Sequence, residues 1–230
     1  MASLAALVAT VSAGGARADT VTIFNDYSVP GFNQFESSAV GVYSVLDVAW
    51  AMQFNAASTG DLADAMLALG NYAGTNSPIT VDLESDNSGT PGSILATLTQ
   101  QGTIPQYYSP GLVTFDYSGT PVQLNAGSTY WLVALETDPN SQQAWFLSND
   151  ASGLDAVNYI GSATGPWTLG CPPGPGCTDS LNAFEVDGTT LPVTPPPTTA
   201  APEPSSLSLL GFLLMISAAI VGPRCKPMGL

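Results

Sequence analysis

The chain of 230 residues carries 18 Asp and Glu against three Lys and Arg and no His, a formal charge of −15 at neutral pH. No basic residue stands between Arg17 and Arg224. Over that stretch salt bridges, His-dependent triads, His-based zinc sites and lysine covalent chemistry are excluded, as is affinity for bare nucleic acid or anionic membrane.

In chain order, residues 4–15 form a small, apolar run, and Ala16-Arg17-Ala18 fits the small-x-small rule for signal-peptide cleavage. A signal peptide over residues 1–18 with a cut before Asp19 is therefore expected. No Lys or Arg stands between Met1 and the apolar run, so the basic start such a segment ordinarily has is expected upstream of this Met. The body, residues 19–188, is long enough for one domain with a true core.

Within it Val21-Thr22-Ile23-Phe24, Ile79-Thr80-Val81-Asp82-Leu83, Leu112-Val113-Thr114-Phe115 and Thr129-Tyr130-Trp131-Leu132-Val133-Ala134-Leu135 are β-branched or aromatic runs bounded by turn residues. Residues 62–69 read either way: Ala, Met and Leu favour a helix, while Leu67 and Leu69 also fit period two. Alternation around Val81 and Leu83 turns Asp82 and Glu84 toward solvent. Residues 130–135 are apolar on both faces, which suits a central, doubly covered strand. The expected fold class is all-β, an antiparallel two-sheet sandwich of jelly-roll type.

Asp82, Glu84 and Asp86 fall at i, i+2 and i+4, on one strand face with no cation to relieve them. Calcium, which takes six to eight oxygen ligands, would do so; the spacing is not that of an EF-hand, and a solvated strand edge leading into a hairpin turn is the simpler reading. Asp86-Asn87-Ser88-Gly89-Thr90-Pro91-Gly92 is such a turn by composition. No cofactor is otherwise required. Trp131 and Trp50, in apolar surroundings, are expected in the core. Trp145 beside Gln142, Gln143 and Asn149, Trp167 after Gly165-Pro166, and Tyr107-Tyr108 before Ser109-Pro110-Gly111 are the candidates for loop aromatics that stack on sugar rings, although such residues more often cap the ends of a core. A carboxylate pair could serve a glycosidase, but spacing singles out no pair among Asp47, Asp116, Glu136 and Glu185.

Cys171 and Cys177 flank a tight Pro-Gly loop, and in an oxidising compartment a local disulfide is expected. Residues 189–201, rich in Pro and Thr, read as an extended spacer. Pro202-Glu203-Pro204 then precedes an uncharged, mostly apolar run, residues 205–222, just long enough to span a bilayer as a helix. Arg224 and Lys226 follow it, which puts the C-terminus on the cytoplasmic side.

This terminal order resembles the PEP-CTERM sorting signal of exported bacterial proteins, although the basic tail is sparser than in that family. The resemblance implies transient residence in the inner membrane and processing by an exosortase-type sorting enzyme over residues 202–230. An ordinary tail anchor is the alternative. A second resemblance covers residues 19–188. Trp50-Ala51-Met52-Gln53-Phe54, the Asp86-to-Gly92 turn after its strand, and Gly127-Ser128-Thr129-Tyr130-Trp131-Leu132 are similar to the choice-of-anchor domains, the type R group above all. That likeness implies a β-rich extracellular domain. The expected function is an exported, non-enzymatic protein of the cell surface or extracellular polysaccharide matrix, with a structural or adhesive role. A carbohydrate-binding module is the alternative and a carboxylate glycosidase the third reading.

Overall fold

The structure is a computed structural model and describes residues 19–27, 32–43, 46–159, 163–170 and 180–190. These residues form β-strands and no helix: β1 Thr20–Asn25, β2 Phe32–Tyr43, β3 Leu46–Asn55, β4 Gly60–Gly74, β5 Thr80–Asp86, β6 Pro91–Gln100 and β7 Gly111–Asp116. They continue as β8 Gln123–Leu124, β9 Thr129–Leu135, β10 Ser141–Ser152, β11 Asp155–Asn158, β12 Thr168–Leu169, β13 Ser180–Asn182 and β14 Phe184–Thr189. The signal peptide, the Cys171–Cys177 loop, nearly all of the Pro/Thr spacer, the Pro202-Glu203-Pro204 motif, the 205–222 span and the Arg224/Lys226 tail lie outside the described residues. Among the described residues no helix is long and apolar enough to cross a membrane.

The all-β expectation holds, but the sheet closes on itself. The hydrogen-bonded order β4-β7-β6-β5-β9-β3-β2-β10 returns to β4 through the register Ser141↔Gly74 to Trp145↔Leu69. The result is a closed antiparallel eight-strand barrel with extra strands, rather than two separate sheets. Two seams are narrow: β2 and β3 pair only from Gly41↔Val48 to Tyr43↔Leu46, and β6 and β7 only at Thr99↔Asp116 and Gln100↔Phe115. Local patterning carries no trace of seams this short. Closure reduces the open strand edges that a sheet otherwise exposes to aggregation.

Strand β4 is the spine. One edge holds β14 against Asp61 to Leu67 and then β10 against Leu69 to Gly74; the other holds β8 and then β7. Where β4 and β10 diverge, the C-terminal ribbon fills the fork, with β13 on β10 and β14 on β4. Ala183 sits at its apex. Its N–H donates to the Phe146 carbonyl, and its carbonyl accepts from Ala68 N–H at 3.1 Å and from Trp145 Nε1 at 3.0 Å. β1 then closes the outer side of β14.

The helix-or-strand ambiguity at residues 62–69 resolves as strand because both faces are covered. Leu62, Ala65, Leu67 and Leu69 join the main core, while Ala68 packs under an outer cluster with Ala144, Phe146 and Ala183. Gly70 belongs beneath that cluster as well: a Cβ there would stand 3.0 Å from both the Phe146 ring and the Tyr107 backbone. β9 lies between β5 and β3 and is buried on both faces, as its composition predicts. Tyr130, Leu132 and Ala134 face the main core; Trp131 and Val133 face a second cluster with Ala51 and Ala156.

Candidate functional site

The second cluster overturns the expectation that Asp82 and Glu84 face solvent. Antiparallel register puts Asp82 beside Val133 and Glu84 beside Trp131, on the outer face of β5-β9-β3. That face is covered: β11 extends the sheet past β3, and Leu154, Ala163, Trp167 and Leu169 pack on the cluster. Asp82 is 4% exposed and Glu84 is fully buried. Asp82 Oδ1 accepts a 2.5 Å bond from Thr97 Oγ1, but both Glu84 oxygens lack a hydrogen-bond partner. Burial first, and the neighbouring Asp82 second, push the Glu84 carboxyl up to about 8. Glu84 is therefore held as the neutral acid at pH 7.

Asp86 ends the row differently, as the hub of the predicted turn. Its carboxylate accepts from Gly89 N–H at 3.2 Å, from Gln53 Nε2 at 3.1 Å and from Trp131 Nε1 at 2.8 Å. The turn is tied by Asn87 N–H to the Thr90 carbonyl at 2.8 Å, with Ser88 at φ 56° and Gly89 at φ 86°. Two successive positive φ values make this a type I′ hairpin turn, the hand that matches strand twist. Asp82 and Glu84 thus lie buried near one another on one face, while Asp86 belongs to the turn. Among the described residues no group of three or more His, Cys, Asp or Glu side chains is placed to hold a metal ion.

The expected sugar-stacking aromatics also separate. Trp145 is no loop residue but fully buried in the main core, its ring edge-on to Phe184 at 6.0 Å. Its polar neighbours mislead, because Gln143 is buried too, its amide donating to Ser141 Oγ at 2.8 Å. Trp167 is half-buried as a cover on the second cluster. Tyr107 is half-buried against Phe146 at 5.4 Å, and Tyr108 is 96% exposed. Tyr107 meets Tyr72 and Tyr108 edge-on, at 4.9 and 5.3 Å.

Two concave surfaces that the sequence does not reveal flank β2. Past their short pairing, β2 and β3 splay. Trp50 reaches across the gap and donates from Nε1 to the Ala39 carbonyl at 2.8 Å. The cleft left there, about 430 Å³, is lined by Ser37, Ser38, Ala39, Val48, Trp50 and Tyr159. A smaller hollow of about 150 Å³ lies toward β4, lined by Ser37, Ala39, Tyr72, Gln142, Gln143 and Ala144. The two share Ser37 and Ala39 and so adjoin across β2, where together they are called the trough. Among the described residues its lining is aromatic, hydroxyl, amide and small aliphatic, and none of those side chains is charged. Tyr72 and Tyr159 are 55% and 49% exposed.

The four carboxylates considered for hydrolysis fall on different elements: Asp47 on β3, Asp116 on β7, Glu136 after β9 and Glu185 on β14. Glu136 is buried and its Oε1 accepts the Thr137 and Asp138 N–H groups at 2.8 Å each, a turn-fastening role. Asp116 stands opposite Asp64, which stands opposite Asp187 on the other side. Burial and then these two neighbours raise the Asp64 carboxyl above its ordinary range. No protein-family model matches this chain, and no curated protein was found to be similar to it.

Proposed function

We propose that this is an exported, non-enzymatic protein that is sorted through its C-terminal segment to the cell surface or the extracellular polysaccharide matrix, where its β-barrel serves a structural or adhesive role. The observation that carries the reading is the order at the C-terminus: Pro202-Glu203-Pro204, an uncharged apolar run, then Arg224 and Lys226. The apolar N-terminal run ending in Ala16-Arg17-Ala18 supports it, as does a body with acidic charge alone. A closed barrel suits such a life, since it offers few free strand edges to neighbouring copies at high local concentration.

An exosortase-type enzyme would act on the C-terminal segment while residues 205–222 hold the chain in the inner membrane. Replacing Pro202, Glu203 and Pro204 together by Ala should leave the protein in the membrane fraction with its tail intact. Release unchanged by that replacement would overturn the sorting claim. A second reading, a carbohydrate-binding module, is favoured by one specific observation, the uncharged aromatic trough across β2.

A further inference from the structure

We propose that the trough across β2, running from Tyr72 and Gln142 to Trp50 and Tyr159, binds a segment of a neutral polysaccharide. This gives the carbohydrate-binding reading a site and a ligand class, and it rests on that reading alone; the route by which the protein reaches the surface does not enter.

Four features point to this ligand. The larger part of the trough, about 430 Å³, falls in the range of roughly 300–1,000 Å³ typical of ligand clefts. Tyr72 and Tyr159, each about half exposed, supply aromatic faces on which the C–H faces of a pyranose ring can lie, and Trp50, half-buried against the main core, lines the larger cleft between them. Trp50 is fixed in advance by its bond to the Ala39 carbonyl, so little side-chain freedom is lost on binding. Ser37 and the Gln142 amide stand between the aromatic ends, where sugar hydroxyls would need donors and acceptors.

Charge selects among sugars. No basic residue lies between Arg17 and Arg224, so a uronate or sulfate would meet no cation and a field of like charge. Length follows from topology. Tyr72 lies on β4 and Trp50 on β3, with β10 and β2 between them. Three strand spacings of about 4.8 Å put roughly 15 Å between the two ends, the reach of an oligosaccharide rather than one ring. Strand addition by a peptide is disfavoured at the same place, because the Trp50 indole already occupies the Ala39 carbonyl on the free edge of β2.

The test is calorimetric titration of the full chain, held in a non-glycosidic detergent, with cello-, laminari-, malto- and mannohexaose and with an oligogalacturonate of equal length. At least one neutral hexasaccharide should bind and the acidic one should not. Tyr72→Ala and Tyr159→Ala, at exposed positions whose loss leaves the melting temperature in place, should each weaken binding by about tenfold or more. Trp50→Phe should remove the tryptophan fluorescence change that accompanies binding. Absence of binding by every neutral hexasaccharide at millimolar concentration would overturn the proposal. So would equal binding of the acidic oligomer, or affinity unchanged by the two Tyr substitutions. Sorting fails or stands in the separate Pro-Glu-Pro experiment, so the two ideas can be lost independently.

Discussion

Burial pushes two carboxyls far above their ordinary range, and both tie the stability of the fold to pH. The Glu84 carboxyl is raised from an ordinary 4.5 to about 8, chiefly by burial. Below the ordinary value both the folded and the unfolded chain are protonated there, and the fold bears no penalty. Between about 4.5 and 8 the unfolded chain ionises while the folded one must stay protonated, so stability is lost across that window. Glu84→Gln, neutral and of the same shape, should therefore melt higher than the parent at pH 8, by at least about 1 kcal/mol, with the difference vanishing near pH 4. Urea denaturation at the two pH values measures it. Asp26, raised to about 7 by burial, adds to the same trend, although its Oδ1 also holds the Phe184 N–H at 2.7 Å. Ser88 offers a backbone counterpart. It is the non-glycine residue with positive φ among those described, at 56°. Ser88→Asn should raise stability by up to about 1 kcal/mol and Ser88→Val should lower it, because Asn tolerates the left-handed region and a β-branched residue does not. Thermal melts of the pair check this. The turn itself was legible, since Asp86-Asn87-Ser88-Gly89 spells it in residue types. The burial of Glu84 was not: alternation along β5 shows which residues share a face, but only the later arrival of β11, β12 and Trp167 covers that face.

At the scale of elements, ring closure rests on the last turn of the pairing between β4 and β10. Gly74 lies there at φ 78°, where a Cβ would overlap the Asn140 carbonyl oxygen; that oxygen accepts the Thr75 N–H at 2.9 Å. Gly127 has a nearly identical φ of 79° and nothing within 4 Å. Gly127→Ala should cost only about 1 kcal/mol of backbone strain, whereas Gly74→Ala adds a clash with the neighbouring strand and should cost more than about 2 kcal/mol. Equilibrium unfolding of the two variants separates strain from overlap, and equal losses would contradict this account of the closure. Trp145 teaches the matching lesson about reading strands. Its Gln and Asn neighbours suggest a surface loop, yet β10 is a strand packed on both faces, with Trp145 in the main core and Ala144 and Phe146 in the outer cluster. The β runs around residues 23, 81, 113 and 132 were legible because each is short, β-branched and bounded by turns. The trough was not, because Trp50 and Tyr159 are distant in sequence and are brought together only by the pairing of β11 on β3 where β2 leaves it.

For the whole molecule, charge and closure act together. A body with carboxylates and no basic side chain repels itself, and Asp187, Asp64 and Asp116 lie directly abreast on three adjacent strands. Screening should therefore stabilise the fold: raising NaCl from about 10 mM to about 500 mM shortens the Debye length from roughly 30 Å to a few Å, and the melting temperature should climb throughout. A fall with added salt would mean that attractive pairs dominate instead. The all-β class was legible from composition and turn spacing, whereas closure into a barrel depends on the register of long-range pairs that no local window contains. The destination of the molecule is the central claim, and intact mass spectrometry of the protein recovered from the outer fractions of its native host tests it most directly. The account predicts a species that begins at Asp19 and lacks Arg224 and Lys226. A mature protein that still carries both basic residues would contradict it.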